Sequence, residues 1–247
     1  ISCNGGNDGE VTVNGSGGVL PYEYSIDGIN FQASNVFPGL ILGTYTLTVK
    51  DNNDCVETTS ATITEPPLLT ASNTNLFFNG FGISCNGGND GEVTVNGSGG
   101  VPPYEYSIDG INFQNSNIFP GLIQGSYNLV VRDINSCTVS TSVTLFQPAV
   151  ALSVSLIAIS DFNGFGVSCN GGDNGTVTAA GADGTPGYTY SWNTSPVQNT
   201  AQATVLPSGP YICTVTDTNF CIETVSVFIS EPLDPLLPTS FPSDFNG

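Results

Sequence analysis

The hexapeptide Ile-Ser-Cys-Asn-Gly-Gly at residues 1–6 is repeated without change at residues 83–88, and as Val-Ser-Cys-Asn-Gly-Gly at residues 167–172. The offsets between the copies are 82 and 84 positions. Residues 1–55 align without a gap to residues 83–137 and differ there at only 10 of 55 positions. Self-similarity at a fixed period is the signature of a repeat architecture. The sequence therefore predicts a tandem array of three similar repeats.

The predicted domain boundaries follow a recurring proline. Glu-Pro or Gln-Pro closes a strand-like run in each repeat, and proline there ends regular strand pairing. We therefore divide the chain into a first domain that lacks its opening segment, two full domains and a tail, at residues 1–66, 67–148, 149–232 and 233–247. The tail ends in Asp-Phe-Asn-Gly, which also occurs in the segment that precedes the third hexapeptide. We expect the tail to supply the opening strand of a following repeat, and the chain to be a fragment of a longer, processed polypeptide. The alternative is donor-strand exchange, in which the tail of one chain completes the first domain of the next.

Within a repeat, the hydrophobic pattern has a period of two. Alternating runs occupy residues 10–13, 22–26 and 45–49, and clusters of Gly, Pro, Asn and Asp separate them. Several short strands with turn signals between them indicate an antiparallel sandwich. No stretch carries a convincing helical stripe. The predicted fold class is all-β, with tandem β-sandwich domains.

The charge balance excludes several classes of partner. Two basic residues stand against 21 acidic ones, which gives a net charge of −19. A nucleic-acid-binding domain needs a Lys/Arg footprint, so nucleic acid and anionic membrane surfaces are excluded as partners. The longest apolar run, residues 149–159, contains two serines and is too short to span a bilayer. The chain is therefore not expected to be embedded in a membrane.

Six of the seven cysteines form pairs at one spacing of 52 positions, namely Cys3 with Cys55, Cys85 with Cys137, and Cys169 with Cys221. One pair per domain predicts three intradomain disulfides and an oxidising compartment. Metal binding is the alternative, but two cysteines without any histidine are a poor zinc-binding set.

Two residues of the third repeat are predicted to lie in its core. Cys213 aligns with Leu47 and Leu129 on the inward side of a strand, which favours a buried, reduced thiol over an intermolecular cross-link. Trp192 aligns with the aliphatic Ile26 and Ile108, which favours a core residue over a surface that stacks on sugars.

The sequence offers no basis for catalysis, and we expect the protein not to be an enzyme. Histidine is absent, so no Ser-His-Asp or Cys-His nucleophile can be built. Glu23 and Asp27 are the pair that a glycosidase would need, but the third repeat has Thr189 and Asn193 in their places.

Two kinds of binding site stay open. The loop after each hexapeptide carries oxygen-bearing side chains that are weak candidates for calcium, although Asn and Asp are also ordinary turn residues: Asn4, Asp8, Glu10, Asn86, Asp90 and Glu92. No other cofactor is indicated. Aromatic residues at strand spacing form a possible platform for sugars, although such residues more often belong to a core: Tyr22, Tyr24, Phe31 and Tyr45.

Five segments together resemble the SprB repeat: Ser-Cys-Asn-Gly-Gly-Asn-Asp-Gly at 2–9, Pro-Tyr-x-Tyr-Ser at 21–25, Gly-x-Tyr-x-Leu-x-Val at 43–49, x-Asp-x-Asn-x-Cys at 50–55 and Ile-Thr-Glu-Pro at 63–66. The family occurs in many copies in giant surface adhesins of gliding bacteria. The resemblance implies immunoglobulin-like sandwiches, export by the type IX secretion system and a place in a filament on the bacterial cell surface.

Three functions follow as hypotheses. The leading one is a segment of an adhesin filament, with disulfide-stapled spacer domains, neighbouring repeats as partners, surface polysaccharide as a further candidate partner, and gliding motility as the implied setting. The second is an array of carbohydrate-binding modules in a secreted protein. The third is a purely structural extracellular fibre. The near-identity of the first two repeats favours duplication of a spacer over three separately tuned binding sites.

Overall fold

The computed structural model of the chain describes residues 1–239. Its regular elements are all β-strands, and no helix in this range is long and apolar enough to cross a membrane. The predicted all-β class is confirmed. The Asp-Phe-Asn-Gly sequence at 244–247, on which the strand-donating tail was predicted, lies outside the described residues.

The first repeat contains two small antiparallel sheets. Its strands are β1 (Gly9–Thr12), β2 (Glu23–Ser25), β3 (Val36–Leu40), β4 (Gly43–Lys50) and β5 (Val56–Ile63). β1 pairs with β3, and the second sheet has the order β2-β4-β5. The two sheets enclose a core of Val11, Val13, Phe37 and Leu47, which are the inward residues of the alternating pattern.

The second repeat has one strand more. Its strands are β6 (Thr70–Asn75), β7 (Gly91–Ser98), β8 (Glu105–Ser107), β9 (Ile118–Leu122), β10 (Gly125–Arg132) and β11 (Thr138–Leu145). They form one sheet in the order β6-β7-β9 and another in the order β11-β10-β8. Val93, Val95, Leu129 and Val131 are fully buried.

The third repeat has the same two sheets as the second. Its strands are β12 (Ser153–Ile159), β13 (Gly175–Ala182), β14 (Thr189–Trp192), β15 (Gln202–Leu206), β16 (Gly209–Thr216) and β17 (Ile222–Ile229). The sheet orders are β12-β13-β15 and β14-β16-β17. Each repeat is thus an immunoglobulin-like antiparallel β-sandwich.

Each sheet consists of strands from a single sequence repeat. By compactness, the described residues fall into two units. One comprises residues 1–74, 93–119 and 126–144, and the other comprises 75–92, 120–125 and the described residues from 145 onward. The middle repeat contributes to both units. The proposed limits of the individual domains stay a prediction.

Both core predictions for the third repeat are confirmed. Trp192 is 1% exposed and Cys213 is fully buried, and both belong to the core between the two sheets. The indole Nε1 donates to the carbonyl of Thr200 at 3.0 Å, so the one polar atom of the Trp192 side chain is satisfied. Burial raises the pKa of the Cys213 thiol, which keeps it protonated and unreactive.

The two basic residues of the chain stabilise the first two repeats in the same way. Lys50 Nζ lies 2.8 Å from Glu23 and 4.6 Å from the centre of the Phe31 ring. Arg132 likewise pairs with Glu105 and stacks on Phe113. The third repeat has Thr189, Val197 and Thr216 in place of Glu23, Phe31 and Lys50, so the acidic, aromatic and basic residues are replaced together.

Candidate functional site: the junctions between repeats

Each Ser-Cys-Asn-Gly-Gly segment forms the same tight turn. The amide of Gly6 donates to the carbonyl of Cys3 at 2.9 Å, and Gly88 and Gly172 make the same bond to Cys85 and Cys169. The first glycine of each pair has a positive φ of 73–76°, which an L side chain rarely adopts. The invariant Gly-Gly therefore shapes the turn that presents the cysteine.

This turn is anchored to the end of its own repeat. Asn4 Nδ2 donates to Glu65 Oε1 at 2.9 Å and to the carbonyl of Pro66 at 3.0 Å, while the amide of Gly5 donates to Glu65. The other two repeats form the equivalent bonds to Gln147-Pro148 and to Glu231-Pro232. The cysteine is thereby held beside the point where the chain leaves the repeat.

A second cysteine-bearing turn is organised by an aspartate. Asp133 Oδ1 accepts the amides of Asn135 and Cys137, each at 2.9 Å, and its Oδ2 accepts the amide of Val101 at 2.9 Å. Asp51 and Asp217 make the same three bonds in the other repeats. The amides of Val19 and Cys55 hold the pKa of Asp51 below its usual value.

The two turns meet across the repeat boundary, and this corrects the predicted disulfide pairing. Cys3 is bonded to Cys137 and Cys85 to Cys221, both with Cα–Cα distances of 5.7 Å. The predicted intradomain bonds Cys3–Cys55, Cys85–Cys137 and Cys169–Cys221 are wrong. Each disulfide instead joins the first turn of one repeat to the aspartate turn of the next.

The physical reason for the correction is the position of the two turns within a repeat. The first turn is hydrogen-bonded to the end of its own repeat, at Glu65 and Pro66. The aspartate turn lies beside the start of its repeat. A Cβ at Gly100 would lie only 2.7 Å from Asp133 Oδ2, and the amide of Gly100 donates to the carbonyl of Pro67 at 2.8 Å. The cysteine held at the end of one repeat is therefore close to the cysteine held at the start of the next.

An asparagine reinforces each junction. Asn135 Nδ2 donates to the carbonyl of Ser2 at 2.9 Å. Its counterpart Asn219 is 4% exposed and donates to the carbonyl of Ser84 at 3.0 Å. Sequence reasoning missed these two residues, although the recurring x-Asp-x-Asn-x-Cys turn already contained the signal.

Two cysteines of the described repeats stay unpaired and exposed. They are Cys55 in the aspartate turn of the first repeat and Cys169 in the first turn of the third. The hydrogen bonds that shape both turns are nevertheless complete. Both thiols are thus held in the conformation in which their counterparts are bonded.

An open groove lies beside Cys55. Its volume is about 400 Å³, and residues 13–18, Tyr22, Val49, Asp51 and 55–59 line it. In the second and third repeats, the strands that correspond to residues 9–16 are β7 and β13, and they pair with the opening strands β6 and β12. Within the described residues β1 pairs only with β3 and is four residues long, whereas β7 and β13 have eight residues each. The groove therefore lies against the segment whose counterparts in the other two repeats pair with β6 and β12.

The calcium candidates serve as hydrogen-bonding groups of the first turn. Asp8 accepts the amide of Ser2 at 3.0 Å, and hydrogen bonds from the side chain and the amide of Ser2 lower the pKa of Asp8. Asp90 accepts the amide of Ser84 in the same way. Asn174 Oδ1 makes the same bond in the third repeat without a negative charge. Asn4 and Asn86 donate to the chain after their repeats, while Glu10 is exposed and Glu92 half-buried. Within residues 1–239, no three His, Cys, Asp or Glu side chains cluster as a metal site would require.

The aromatic candidates are used within the domain. Tyr24 and Tyr45 pack against the first core, and the Tyr45 hydroxyl donates to the carbonyl of Ile41 at 3.0 Å, as in a tyrosine corner. Tyr22 donates to the carbonyl of Gly17, and Phe31 lies beneath the Lys50 ammonium. The core assignment is confirmed for Tyr24 and Tyr45.

Fold and junctions together define a tandem array of β-sandwich repeats in which consecutive repeats are cross-linked by disulfides. The SprB repeat family matches the chain three times, at residues 1–31, 83–113 and 167–197. Each of the three repeats is therefore similar to the SprB repeat over its first 31 residues after the start of the hexapeptide. No curated protein matches the chain.

Solved structures of other tandem β-domains are similar to the chain at low identity. The eight N-terminal immunoglobulin domains of Down Syndrome Cell Adhesion Molecule share 13% identity over 90% of this chain, with a TM-score of 0.33. The chain spans 33% of that structure's length. Fibronectin(III)-like modules of Clostridium thermocellum CbhA share 15% identity over 62% of this chain and 92% of theirs, with a TM-score of 0.28. A tetra-tandem repeat from the extending region of a large adhesion protein shares 14% over 92% of this chain and 67% of its own, with a TM-score of 0.24.

Proposed function

We propose that the chain is a load-bearing segment of an adhesin filament on a bacterial cell surface, and that it has no enzymatic activity. The observation that carries the proposal is the pair of disulfides between consecutive repeats, Cys3–Cys137 and Cys85–Cys221. Disulfides persist in oxidising, extracellular compartments. A cross-link between neighbours strengthens an array under tension, which is a requirement of adhesion rather than of catalysis.

The overlap of the two bonded loops sets the mechanical behaviour. Cys85 lies inside the loop closed by Cys3–Cys137, and Cys137 lies inside the loop closed by Cys85–Cys221. When the ends are pulled, the covalent path runs from Cys3 to Cys137, back along the chain to Cys85, and across to Cys221. At roughly 3.5 Å per residue, the fully unfolded oxidised chain reaches about 280 Å, against about 860 Å after reduction.

Single-molecule force spectroscopy tests this mechanical role. The full chain is held by tags at its two ends and stretched with and without a reducing agent. The expected result is a roughly threefold longer final extension after reduction, by the reach of the extended chain. Equal extensions under both conditions would remove the basis of the proposal.

The finer parts of the proposal follow from the kinship with SprB repeats. They are export by type IX secretion, a role in gliding motility, and surface polysaccharide as the adhesive ligand. Antibodies against the chain should label intact source cells and detach them from a surface under flow. Labelling only after permeabilisation, or labelling without any effect on attachment, would contradict the adhesive role.

A further inference from the structure

A cleft opens on the third repeat, between the loop that follows β14 and the turn that joins β15 to β16. Residues 193–196, Gln198, residues 204–207 and Tyr211 line it, and its volume is about 510 Å³. This volume lies within the range of small-molecule binding sites. All of the lining residues belong to one repeat and to one of the two compact units. We call this feature the third-repeat cleft.

Backbone strain marks one wall of the cleft. Val205 has a φ of 56°, whereas its counterparts in the first two repeats, Gly39 and Gly121, are glycines with a φ of 74°. A β-branched residue rarely adopts this conformation, and such strain is concentrated at functional sites. The Val205 side chain is 67% exposed, so it adds little to the core of the sandwich. The surface that it does supply is the wall of the third-repeat cleft.

The loop after β14 differs from its counterparts in the polar groups that it leaves available. In the first repeat, Asp27 accepts two backbone amides and two side-chain groups from residues 25–30, so its carboxylate is fully used within its own loop. The third repeat has Asn193 at this position, and Asn193 Oδ1 accepts the amide of Ile212 at 2.8 Å. Within residues 1–239, no group accepts a hydrogen bond from Asn193 Nδ2. Two N–H donors are therefore available at the cleft.

Hydrogen bonds hold the two walls of the cleft in place before any ligand binds. Gln198 Nε2 donates to the carbonyl of Thr204 at 2.9 Å, and Gln198 Oε1 accepts the amide of Thr204 at 2.9 Å. Thr194 Oγ1 donates to the carbonyl of Pro196 at 2.8 Å and accepts the amide of Gln198 at 3.1 Å. A site that is already ordered loses less conformational entropy when it binds a ligand.

The chemistry of the lining restricts the class of ligand. No lining side chain is an acid or a base of the Asp, Glu, Lys or Arg type, although the whole chain has a net charge of −19. An ionic ligand would therefore lose its hydration without finding a counter-charge. A peptide that adds to the edge of β15 is blocked at Thr204, because Gln198 takes both the amide and the carbonyl of that residue.

A neutral sugar fits what remains. Its hydroxyl groups both donate and accept hydrogen bonds, and the C–H faces of its ring are apolar. Asn193 Nδ2 and the hydroxyls of Ser195 and Thr204 supply polar partners, while Val205 and Pro207 supply apolar surface. We propose that the third-repeat cleft binds a neutral saccharide.

The inference rests on the proposed function in one respect, because it gives a site to the surface polysaccharide that is named there as the adhesive ligand. The two fail separately. Force spectroscopy reports on the disulfides between repeats and is indifferent to sugars, whereas the titration below reports on one cleft and is indifferent to mechanical load.

Nuclear magnetic resonance titration of the ¹⁵N-labelled full-length chain tests the proposal. The probes are cellohexaose, mannohexaose and galactohexaose, with hexagalacturonate as the anionic control. The expected result is a saturable shift of the Asn193 side-chain amide and of backbone amides at residues 193–207 with at least one neutral sugar, and none with hexagalacturonate. No shift with any neutral sugar, shifts confined to other residues, or equal binding of hexagalacturonate would overturn the proposal.

A matched pair of asparagine variants tests the polar contact. Asn193→Asp removes both free N–H donors but keeps the acceptor for the Ile212 amide, and it restores the residue found in the first two repeats. We expect it to weaken binding of the sugar roughly tenfold or more, as the loss of two hydrogen bonds does. Asn199→Asp, which makes the same change at an exposed position outside the lining, should leave the affinity unchanged. Equal affinities for the two variants would contradict a site at Asn193.

A pair of valine variants separates a binding role of Val205 from a structural one. Val205→Gly relieves the strained φ, so the unfolding midpoint should stay the same or rise. Its affinity for the sugar should nevertheless fall roughly threefold to tenfold, because an apolar contact is lost. Val150→Gly is the control, since Val150 is 55% exposed in the same repeat and lies outside the lining. An affinity of Val205→Gly equal to that of Val150→Gly would overturn the assignment of the cleft.

Discussion

The side-chain amide of Asn219 donates a 3.0 Å hydrogen bond to the backbone carbonyl of Ser84, which belongs to the preceding repeat. The same amide lies 3.0 Å from Thr185 Oγ1 and 3.3 Å from the carbonyl of Phe78, and the side-chain oxygen of Asn219 accepts from Asn79. One buried side chain therefore satisfies polar groups from two repeats. Asn135 makes the same bond to Ser2, so an asparagine links the repeats at both junctions of the described chain.

Asn219→Ala is expected to lower the free energy of unfolding by about 1–3 kcal/mol, because the half-buried carbonyls of Ser84 and Phe78 lose their donor. Asn53 occupies the same turn of the first repeat but is exposed, so Asn53→Ala should change it by no more than about 0.5 kcal/mol. Urea denaturation of both variants measures the difference. Equal effects would contradict a role for Asn219 in the junction.

The disulfide pairing predicts which cysteines matter for stability. Replacing Cys3 and Cys137 together by serine should lower the free energy of unfolding by up to about 5 kcal/mol, because the bond closes a long loop in the unfolded chain. Cys55→Ser should leave it unchanged, since Cys55 is free and exposed. Peptide mapping with pepsin provides the direct check, and a Cys3–Cys55 peptide from monomeric chain would contradict the structure.

Trp192 gives a spectroscopic test of the third core. Its burial to 1% exposure predicts blue-shifted emission that iodide and acrylamide quench poorly in the folded protein. Unfolding in guanidinium should shift the emission to the red and restore quenching. Because the chain contains one tryptophan, the signal reports on this position alone. Ready quenching before unfolding would place the indole at the surface.

The loops after β2 and β8 predict how stability responds to acid. Backbone amides of Asn30 and Ile29, and the Asn30 side chain, hold the pKa of Asp27 well below its usual value, and Asp109 is bound in the same way. A carboxylate with a depressed folded-state pKa adds stability above its unfolded pKa, near 4, and loses it as the pH falls further.

Urea midpoints should therefore be flat between about pH 7 and pH 5 and should fall below about pH 4. The double variant Asp27→Asn and Asp109→Asn should show a shallower fall, because these two side chains no longer take up protons. A midpoint that rises on acidification, or the same acid slope in the variant, would contradict the assignment.

Calcium is expected to have no specific effect on the array. Asn4 and Asp8 already use their polar atoms in hydrogen bonds, and Asn174 replaces the charge of Asp8 in the third repeat. Thermal melts in calcium and in EDTA at matched ionic strength should give equal midpoints. A higher midpoint in calcium that Asp8→Asn abolishes would instead establish a site in this loop.

The sequence alone determined the architecture of each repeat. Alternation of period two placed the strands, and the alignment of Trp192 with Ile26, and of Cys213 with Leu47, was enough to predict burial. These features depend on local backbone geometry and on which face of a strand is inward, and both can be derived from neighbouring residues.

Only the tertiary structure decided which cysteines are bonded. A period in the sequence is equally compatible with pairing inside a repeat and with pairing from one repeat to the next, since both schemes repeat at the same interval. The choice depends on which turns lie at the start and at the end of a sandwich. Cys3 is held at the end of its repeat by Glu65 and Pro66, so its nearest partner is Cys137 at the start of the next repeat, and Cys55 is left beside an open groove.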